Sequence, residues 1–139
     1  MAKDSIEKHK MNSIERICRD LDLPCGDEFT QDWVYELPEE FRTEEWLNKY
    51  VLAYSNDSYS ESEQDLLMQL IFDVTNDCLS MGMDANDEVI VKALGLLSNN
   101  HQRHFQLIED WALDGEPLED CFALTDKVRE IKNNKWLKL

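Results

Sequence analysis

The chain has 139 residues, of which 30 are acidic and 14 basic, so its formal net charge at pH 7 is -16. The length suits one domain, and 42% hydrophobic residues supply a core, whereas four glycines and three prolines are too few for a disordered protein. The negative charge argues against nucleic acid and anionic membranes as direct partners, because both would repel it. No stretch approaches the about 20 apolar residues that span a bilayer, and the N-terminus lacks the apolar run of a signal peptide. We therefore expect a cytoplasmic protein.

The first 42 residues predict one helix followed by an irregular segment. Apolar residues at helical spacing predict an amphipathic helix that ends before Pro24 and frays at its N-terminus: Ile6, Ile14, Ile17, Cys18 and Leu21. In residues 24–42, Trp33, Tyr35 and Leu37 alternate with other residues as in a strand. An isolated strand cannot form a sheet. We therefore expect an irregular or extended segment that packs its aromatic rings onto the helices.

Two further helices are marked by capping residues. Thr43 is placed to cap a helix that runs to about Tyr54. Ser60 and Glu63 have the spacing of a capping box, which predicts a helix from Ser60 to about Met81. Because apolar residues cover a wide part of this second helix, we expect it to be the central one.

The C-terminal third completes an all-α prediction. Three more helices are predicted at residues 84–97, at residues 101–113 and from Thr125 onward, before a basic tail at residues 132–139. No repeat or linker divides the chain. We therefore predict one compact all-α domain, residues 1–139, with five or six helices.

Acidic residues are concentrated in the body of the chain. Residues 20–126 contain 26 acids and four bases, and residues 50–91 contain nine acids and no base. Like charges repel one another in a compact body, so a surface this one-sided suggests that it attracts a basic partner. The alternative is a solvated face that serves solubility, but such a surface normally mixes in local salt bridges.

The central predicted helix carries the best candidates for partner binding. Asp65, Asp73 and Asp77 fall on its polar stripe at spacings that are multiples of four, and the neighbouring sequence offers no cation to neutralise them. We expect them to face water. Residues in the preceding turn extend this candidate surface: Asp57, Tyr59 and Glu61. We also expect Tyr59 to be exposed as a contact anchor.

Other chemistries lack a signature. His101 and His104 are three residues apart, but H-x-x-H without the glutamate of H-E-x-x-H is common by chance. The four cysteines include no C-x-x-C pair and are expected to be ordinary thiols. Glycine-rich phosphate loops are absent, and carboxylates on solvated helix faces stay ionised. The sequence therefore predicts no catalytic residues, no metal and no cofactor.

In size, acidity and helical content, the chain resembles the small acidic helical immunity proteins that bacteria use against toxins. The resemblance implies a binding protein, not an enzyme, that inhibits a nuclease-type toxin by occluding its basic active-site surface. It carries no diagnostic motif, so it assigns no residue. Two alternatives stay open: a DNA-mimic inhibitor of the anti-restriction or anti-CRISPR type, and an intracellular adaptor with incidental acidity. A toxin encoded next to this chain would favour the first hypothesis, and a phage early-gene cluster would favour mimicry.

Overall fold

The computed structural model describes residues 13–26, 30 and 32–136, and these contain seven α-helices and two 3-10 turns. The helices are α1 (13–21), α2 (Trp33–Glu36), α3 (Glu44–Tyr54), α4 (Glu61–Ser80), α5 (Glu88–Asn99), α6 (Phe105–Ala112) and α7 (Thr125–Trp136). The 3-10 turns are Glu39–Phe41 and Leu118–Asp120. No strand occurs in this part of the chain, which confirms the all-α prediction.

Helix α4 is the centre of the fold. The predicted capping box forms, because Ser60 accepts a hydrogen bond from the Glu63 backbone N–H and Glu63 accepts one from the Ser60 N–H. The helix packs against α2, α3 and α5. It buries apolar side chains around much of its circumference: Leu66, Leu67, Met68, Leu70, Ile71, Phe72, Val74 and Cys78. Burial of each of the larger ones contributes about 1.5–3 kcal/mol.

The other helices surround α4 and share one hydrophobic core. Helix α3 contacts both α4 and α5, while α6 pairs with α7, which also contacts α5. Buried residues from all seven helices belong to a single cluster. Within the described residues, no helix is both long enough and apolar enough to cross a membrane.

The expectation of an extended segment at residues 33–37 is wrong. Asp32 caps a single helical turn there, and its side chain accepts a hydrogen bond from the Tyr35 N–H. Helical rotation buries Trp33, Val34 and Leu37 on one side, while Tyr35 points outward with 75% of its surface exposed. In an extended segment, by contrast, alternation would place the Tyr35 ring on the same side as Trp33.

The C-terminal helices differ from the prediction at their ends. Helix α6 begins at Phe105, after a turn at residues 101–104. Helix α7 continues to Trp136, so Lys132 lies inside it and not in a tail, and Lys132 Nζ lies 2.9 Å from Glu109 Oε1. The predicted start of the first helix, at Ile6, and residues 137–139 lie outside the described residues.

Helix α1 is fastened to the start of α4 by one arginine. Arg16 Nη1 donates to Glu63 Oε1 over 2.8 Å and to the Ser58 carbonyl over 2.9 Å. The Glu63 residue is only 7% exposed, so its carboxylate both caps α4 and pairs with Arg16 away from most of the solvent. The capping box is therefore also a tertiary contact.

We predict that Glu63→Ala destabilises the protein more than Ser60→Ala. Loss of the Ser60 cap should cost about 1 kcal/mol. Loss of Glu63 also removes the buried carboxylate that pairs with Arg16, and it should cost about 2–4 kcal/mol because Arg16 keeps its bonds to Ser58 and some contact with solvent. Urea unfolding followed by circular dichroism measures both values. Glu61→Ala, in the same turn but exposed, is the matched control and should change stability by less than about 0.5 kcal/mol. Equal losses for Ser60→Ala and Glu63→Ala would contradict a tertiary role for Glu63.

Candidate acidic binding surface

Arg42 organises the acidic side chains of the predicted site. Its Nε donates to Asp77 Oδ2 over 2.5 Å, a terminal nitrogen donates to Asp73, and Nη1 donates to the Val34 carbonyl over 2.7 Å. The Arg42 side chain is only 9% exposed, against 18% for Asp73 and 39% for Asp77. The expectation that Asp73 and Asp77 face water is therefore wrong, because both are partly covered by a cation that lies more than 30 positions earlier in the sequence.

The pKa values of this cluster reflect opposing effects. Burial lowers the pKa of Arg42, but its hydrogen bonds to Asp77 and Asp73 raise the pKa above its ordinary value. Burial raises the pKa of Asp73, and the Arg42 guanidinium only partly offsets this effect. Nearby Asp77 raises the Asp73 pKa further. Two carboxylates share one guanidinium here, so the cluster keeps a net negative charge.

A groove of about 480 Å³ lies beside this cluster, and we call it the aromatic groove. Its apolar lining consists of Tyr35, Leu37, Trp111 and Phe122. Its polar lining consists of Glu39, Arg42, Asp73, Asn76 and Asp77. The Trp111 and Phe122 ring centroids lie 4.9 Å apart, and Trp111 also packs edge-on against Phe72 of the core at 6.0 Å. The groove thus combines a supported aromatic wall with carboxylates.

Residues 32–45 form an exposed and strongly acidic stretch, which we call the acidic segment. Its six acids are all exposed: Asp32, Glu36, Glu39, Glu40, Glu44 and Glu45. Its one base is Arg42, whose charge is turned inward onto α4. Glu39 lines the aromatic groove, and at the other end Glu44 and Glu45 line a second cleft of about 670 Å³.

That second cleft, the acidic cleft, lies between the N-terminal ends of α3 and α5. Its charged lining consists of Glu44, Glu45, Asp87, Glu88 and Lys92. Lys92 pairs with Glu88 over 3.1 Å. Thr43 and Asp87 cap the two helices, and carboxylates are stabilised at such positive helix ends. The acidic cleft is therefore lined by four carboxylates and one cation at the positive ends of two helices.

Asp65 lies apart from Asp73 and Asp77. Its Oδ1 is 3.5 Å from Arg103 Nε and 3.6 Å from His104 Nδ1, while half of its side chain remains exposed. His104 is buried, and its Nε2 lies 2.7 Å from the Tyr54 hydroxyl. A neutral ring with its proton on Nδ1 points that N–H toward Asp65 and accepts from Tyr54. Burial lowers the pKa of His104 and favours this neutral form.

The geometry of α4 explains why the predicted stripe divides. At 100° per residue, Asp73 is rotated by about 80° from Asp65, and Asp77 by about 120°. The first aspartate therefore meets the turn between α5 and α6, whereas the other two meet Arg42 beside α2. Residues four positions apart lie on nearly the same face of a helix, but the angular offset accumulates, so residues three turns apart no longer share a face.

The turn before α4 also differs from expectation. Asp57 and Glu61 are exposed, as a contact surface requires. Tyr59, expected to be exposed, is 7% exposed, because its hydroxyl donates to Asp20 and the Arg16 guanidinium lies 4.8 Å from its ring centroid. Burial, followed by the bond to Asp20, raises the Tyr59 pKa to about 12. Tyr59 therefore anchors α1 instead of offering a contact.

The candidate residues that the sequence indicates first lie outside the acidic segment, where the acids of residues 20–45 are only the second choice, and they include just two residues of the aromatic groove, Asp73 and Asp77. A signal for the segment was present, because six acids and one base within 14 residues is denser than the stretch that was chosen. The groove gave no such signal, since it joins Tyr35 to Phe122, which lie 87 positions apart. Only the fold brings them together.

The described residues contain no group of three His, Cys, Asp or Glu side chains placed to hold a metal ion. His104 is bonded to Tyr54, and His101 Nδ1 contacts the Ser98 carbonyl over 3.0 Å. The four cysteines are free thiols, and burial raises the pKa of Cys18 and Cys78. In comparisons with known proteins, the chain matches no family, no curated protein and no solved structure.

We predict that Arg42→Met destabilises the protein by about 2–4 kcal/mol at pH 7. This loss is smaller than that for a fully buried ion pair, because Asp77 keeps contact with water. The unpaired carboxylates then acquire raised folded-state pKa values, so the variant should regain stability as the pH falls and they become protonated. Chemical unfolding between pH 7 and pH 4.5 measures both effects. Adding Asp73→Asn to Arg42→Met should restore part of the loss at pH 7, and a double variant no more stable than the single one would contradict the shared cluster.

A second prediction concerns His104. Because its folded-state pKa lies below the unfolded value of about 6.5, the unfolded chain binds a proton first as the pH falls. The contribution of His104 to stability should therefore be complete above about pH 6.5 and decline below it. The stability difference between the wild type and His104→Gln, measured by urea unfolding, should shrink from pH 7.5 to pH 5. A constant difference over that range would show that Asp65 holds the protonated ring in place.

Proposed function

We propose that the protein binds and inhibits a basic partner, as an immunity protein neutralises a nuclease-type bacterial toxin by covering its basic active-site surface. One observation carries this proposal. In the acidic segment, six carboxylates face solvent while the single base is turned inward onto Asp73 and Asp77. The outer face of residues 32–45 therefore presents only negative charge from its side chains.

A nuclease is a fitting partner on chemical grounds. Its active site must bind a phosphodiester backbone, so it presents Lys and Arg in a cleft, and an opposed acidic surface accelerates the encounter and fills that cleft. The acidic segment is also held in place before binding. Arg42 bonds to α2 and α4, and the Tyr50 hydroxyl donates to the Phe41 carbonyl over 2.7 Å. Little ordering is then required when a partner binds. A cytoplasmic location is part of the proposal.

The proposed contact differs from the set expected from sequence. Asp57, Glu61 and Asp65 remain in it as secondary acids with exposed carboxylate surface. Asp73 and Asp77 contribute through the aromatic groove, where Arg42 already holds one side of each carboxylate. Tyr59 is left out because its ring is covered. The main contribution comes from the acidic segment.

Charge reversal in the acidic segment tests the proposal. Immobilised protein is used to capture partners from the native cell, and captured proteins are assayed for nuclease activity with and without added inhibitor. Glu40→Lys with Glu45→Lys should lower the association rate about tenfold or more at low salt, and by less than about twofold at 1 M salt, where the Debye length is about 3 Å. Stopped-flow or surface binding kinetics measure both rates.

Glu15→Lys with Glu119→Lys is the matched control, since both residues are exposed, lie outside the acidic segment and give the same change in net charge. It should slow association far less. Equal effects of the two double variants would mean that only overall charge matters, as for a solubility surface. A captured partner that binds DNA without cutting it, and that this protein displaces from DNA, would instead support the DNA-mimic alternative.

A further inference from the structure

Two aromatic residues that line the aromatic groove expose much of their surface to solvent. Tyr35 is 75% exposed and Phe122 is 51% exposed, although most large apolar residues of the described chain are buried or partly buried. Phe122 rests on Trp111, which in turn packs on Phe72, so the wall has support from the core. An exposed aromatic wall with such support is typical of a recognition surface.

The polar lining of the groove carries more negative than positive charge. Its lining includes three carboxylates, Glu39, Asp73 and Asp77, but one cation, Arg42. The known bonds of Arg42 to both aspartates use Oδ2, and Asp77 keeps 39% of its side chain exposed. A carboxylate offers about four acceptor sites. Burial is the main cause of the raised pKa of Asp73, the Arg42 guanidinium only partly offsets it, and nearby Asp77 adds to it. A second cation would relieve this imbalance.

From this juxtaposition we propose that the aromatic groove binds an arginine side chain of a basic partner protein. The guanidinium pairs with Asp77 and Glu39, and its flat face and aliphatic stem lie against Tyr35 and Phe122. Arginine fits better than lysine, because its planar group both stacks on aromatic rings and donates two parallel hydrogen bonds to a carboxylate. The inference deepens the proposed function, on which it rests for the basic character of the partner.

Other occupants fit the groove less well. An anion would meet three carboxylates, and the guanidinium of Arg42 is already committed to Asp73, Asp77 and the Val34 carbonyl. A wholly apolar segment would desolvate the carboxylates of the lining without adding a cation to pair with them. A second copy of this chain, with a net charge of -16, would be repelled. Charge complementarity therefore selects a cationic side chain.

A peptide titration tests the groove without the natural partner. The probe is N-acetyl-Leu-Arg-Leu-amide, and its control replaces arginine by citrulline, which has nearly the same shape but no charge. Followed by NMR on isotope-labelled protein, the arginine peptide should give saturable shifts at Tyr35, Asp77 and the Trp111 indole N–H. The citrulline peptide should bind at least about fivefold more weakly. Equal binding of the two peptides, or shifts spread over all acidic surfaces, would overturn the proposal.

Variants of the apolar wall provide the second test, with the captured basic partner as well as the peptide. Tyr35→Ala and Phe122→Ala leave the charge unchanged and should each weaken binding at least about threefold at low and high salt alike. Leu52→Ala is the matched control, because Leu52 is also 67% exposed but lies on α3 outside the groove. Its binding should equal that of the wild type. Circular dichroism confirms that each variant is folded.

The outcomes separate this inference from the proposed function. If both wall variants bind the partner like the wild type while reversal of Glu40 and Glu45 slows association, the groove inference is wrong and the proposed function stands. If the arginine peptide saturates the groove but the native cell yields no basic partner, the arginine site stands and the proposed function is wrong.

Discussion

The pairing of one guanidinium with two aspartates affects both the packing of the acidic segment and the charge on its outer face. Arg42 joins α2, through the Val34 carbonyl, to α4, through Asp73 and Asp77. It is also the only base in residues 20–48. Its inward orientation therefore fixes the acidic segment against the central helix and, by the same contact, removes the one positive charge from the outer face. The structure of this segment and its electrostatic character have one cause.

The elements that could be predicted are those specified by neighbouring residues. The starts of α3 and α4 follow from the caps at Thr43 and Ser60, whose partners lie three residues away. The end of α4 follows from Gly82, which adopts a positive φ of 97° that suits glycine. The central position of α4 follows from apolar residues on several of its sides. Each of these signals lies within a few turns of helix.

The candidate site could be predicted only in part, because its geometry depends on distant residues. The sequence predicted that Tyr35 packs onto the helices and that Tyr59 is exposed, and the structure shows the reverse for both residues. Tyr35 is exposed because one helical turn replaces the extended segment, and Tyr59 is buried because Arg16 and Asp20, about 40 positions earlier, cover it. Likewise, Asp73 meets a cation 31 positions away. No local pattern contains such pairings.

The acids of this chain thus belong to two groups with different physical effects. Asp73 and Asp77 share a cation, so much of their field is neutralised at a distance, and what remains of it acts mainly inside the aromatic groove. The acidic segment contains six acids and no base other than Arg42, so its net negative field reaches outward over about the Debye length of 8–10 Å. Attraction over long range determines how often a partner arrives, whereas contacts in a partly desolvated groove determine how long it stays. A surface of this kind separates the speed of binding from its specificity, which suits the proposed role as an inhibitor of one basic enzyme among many basic proteins.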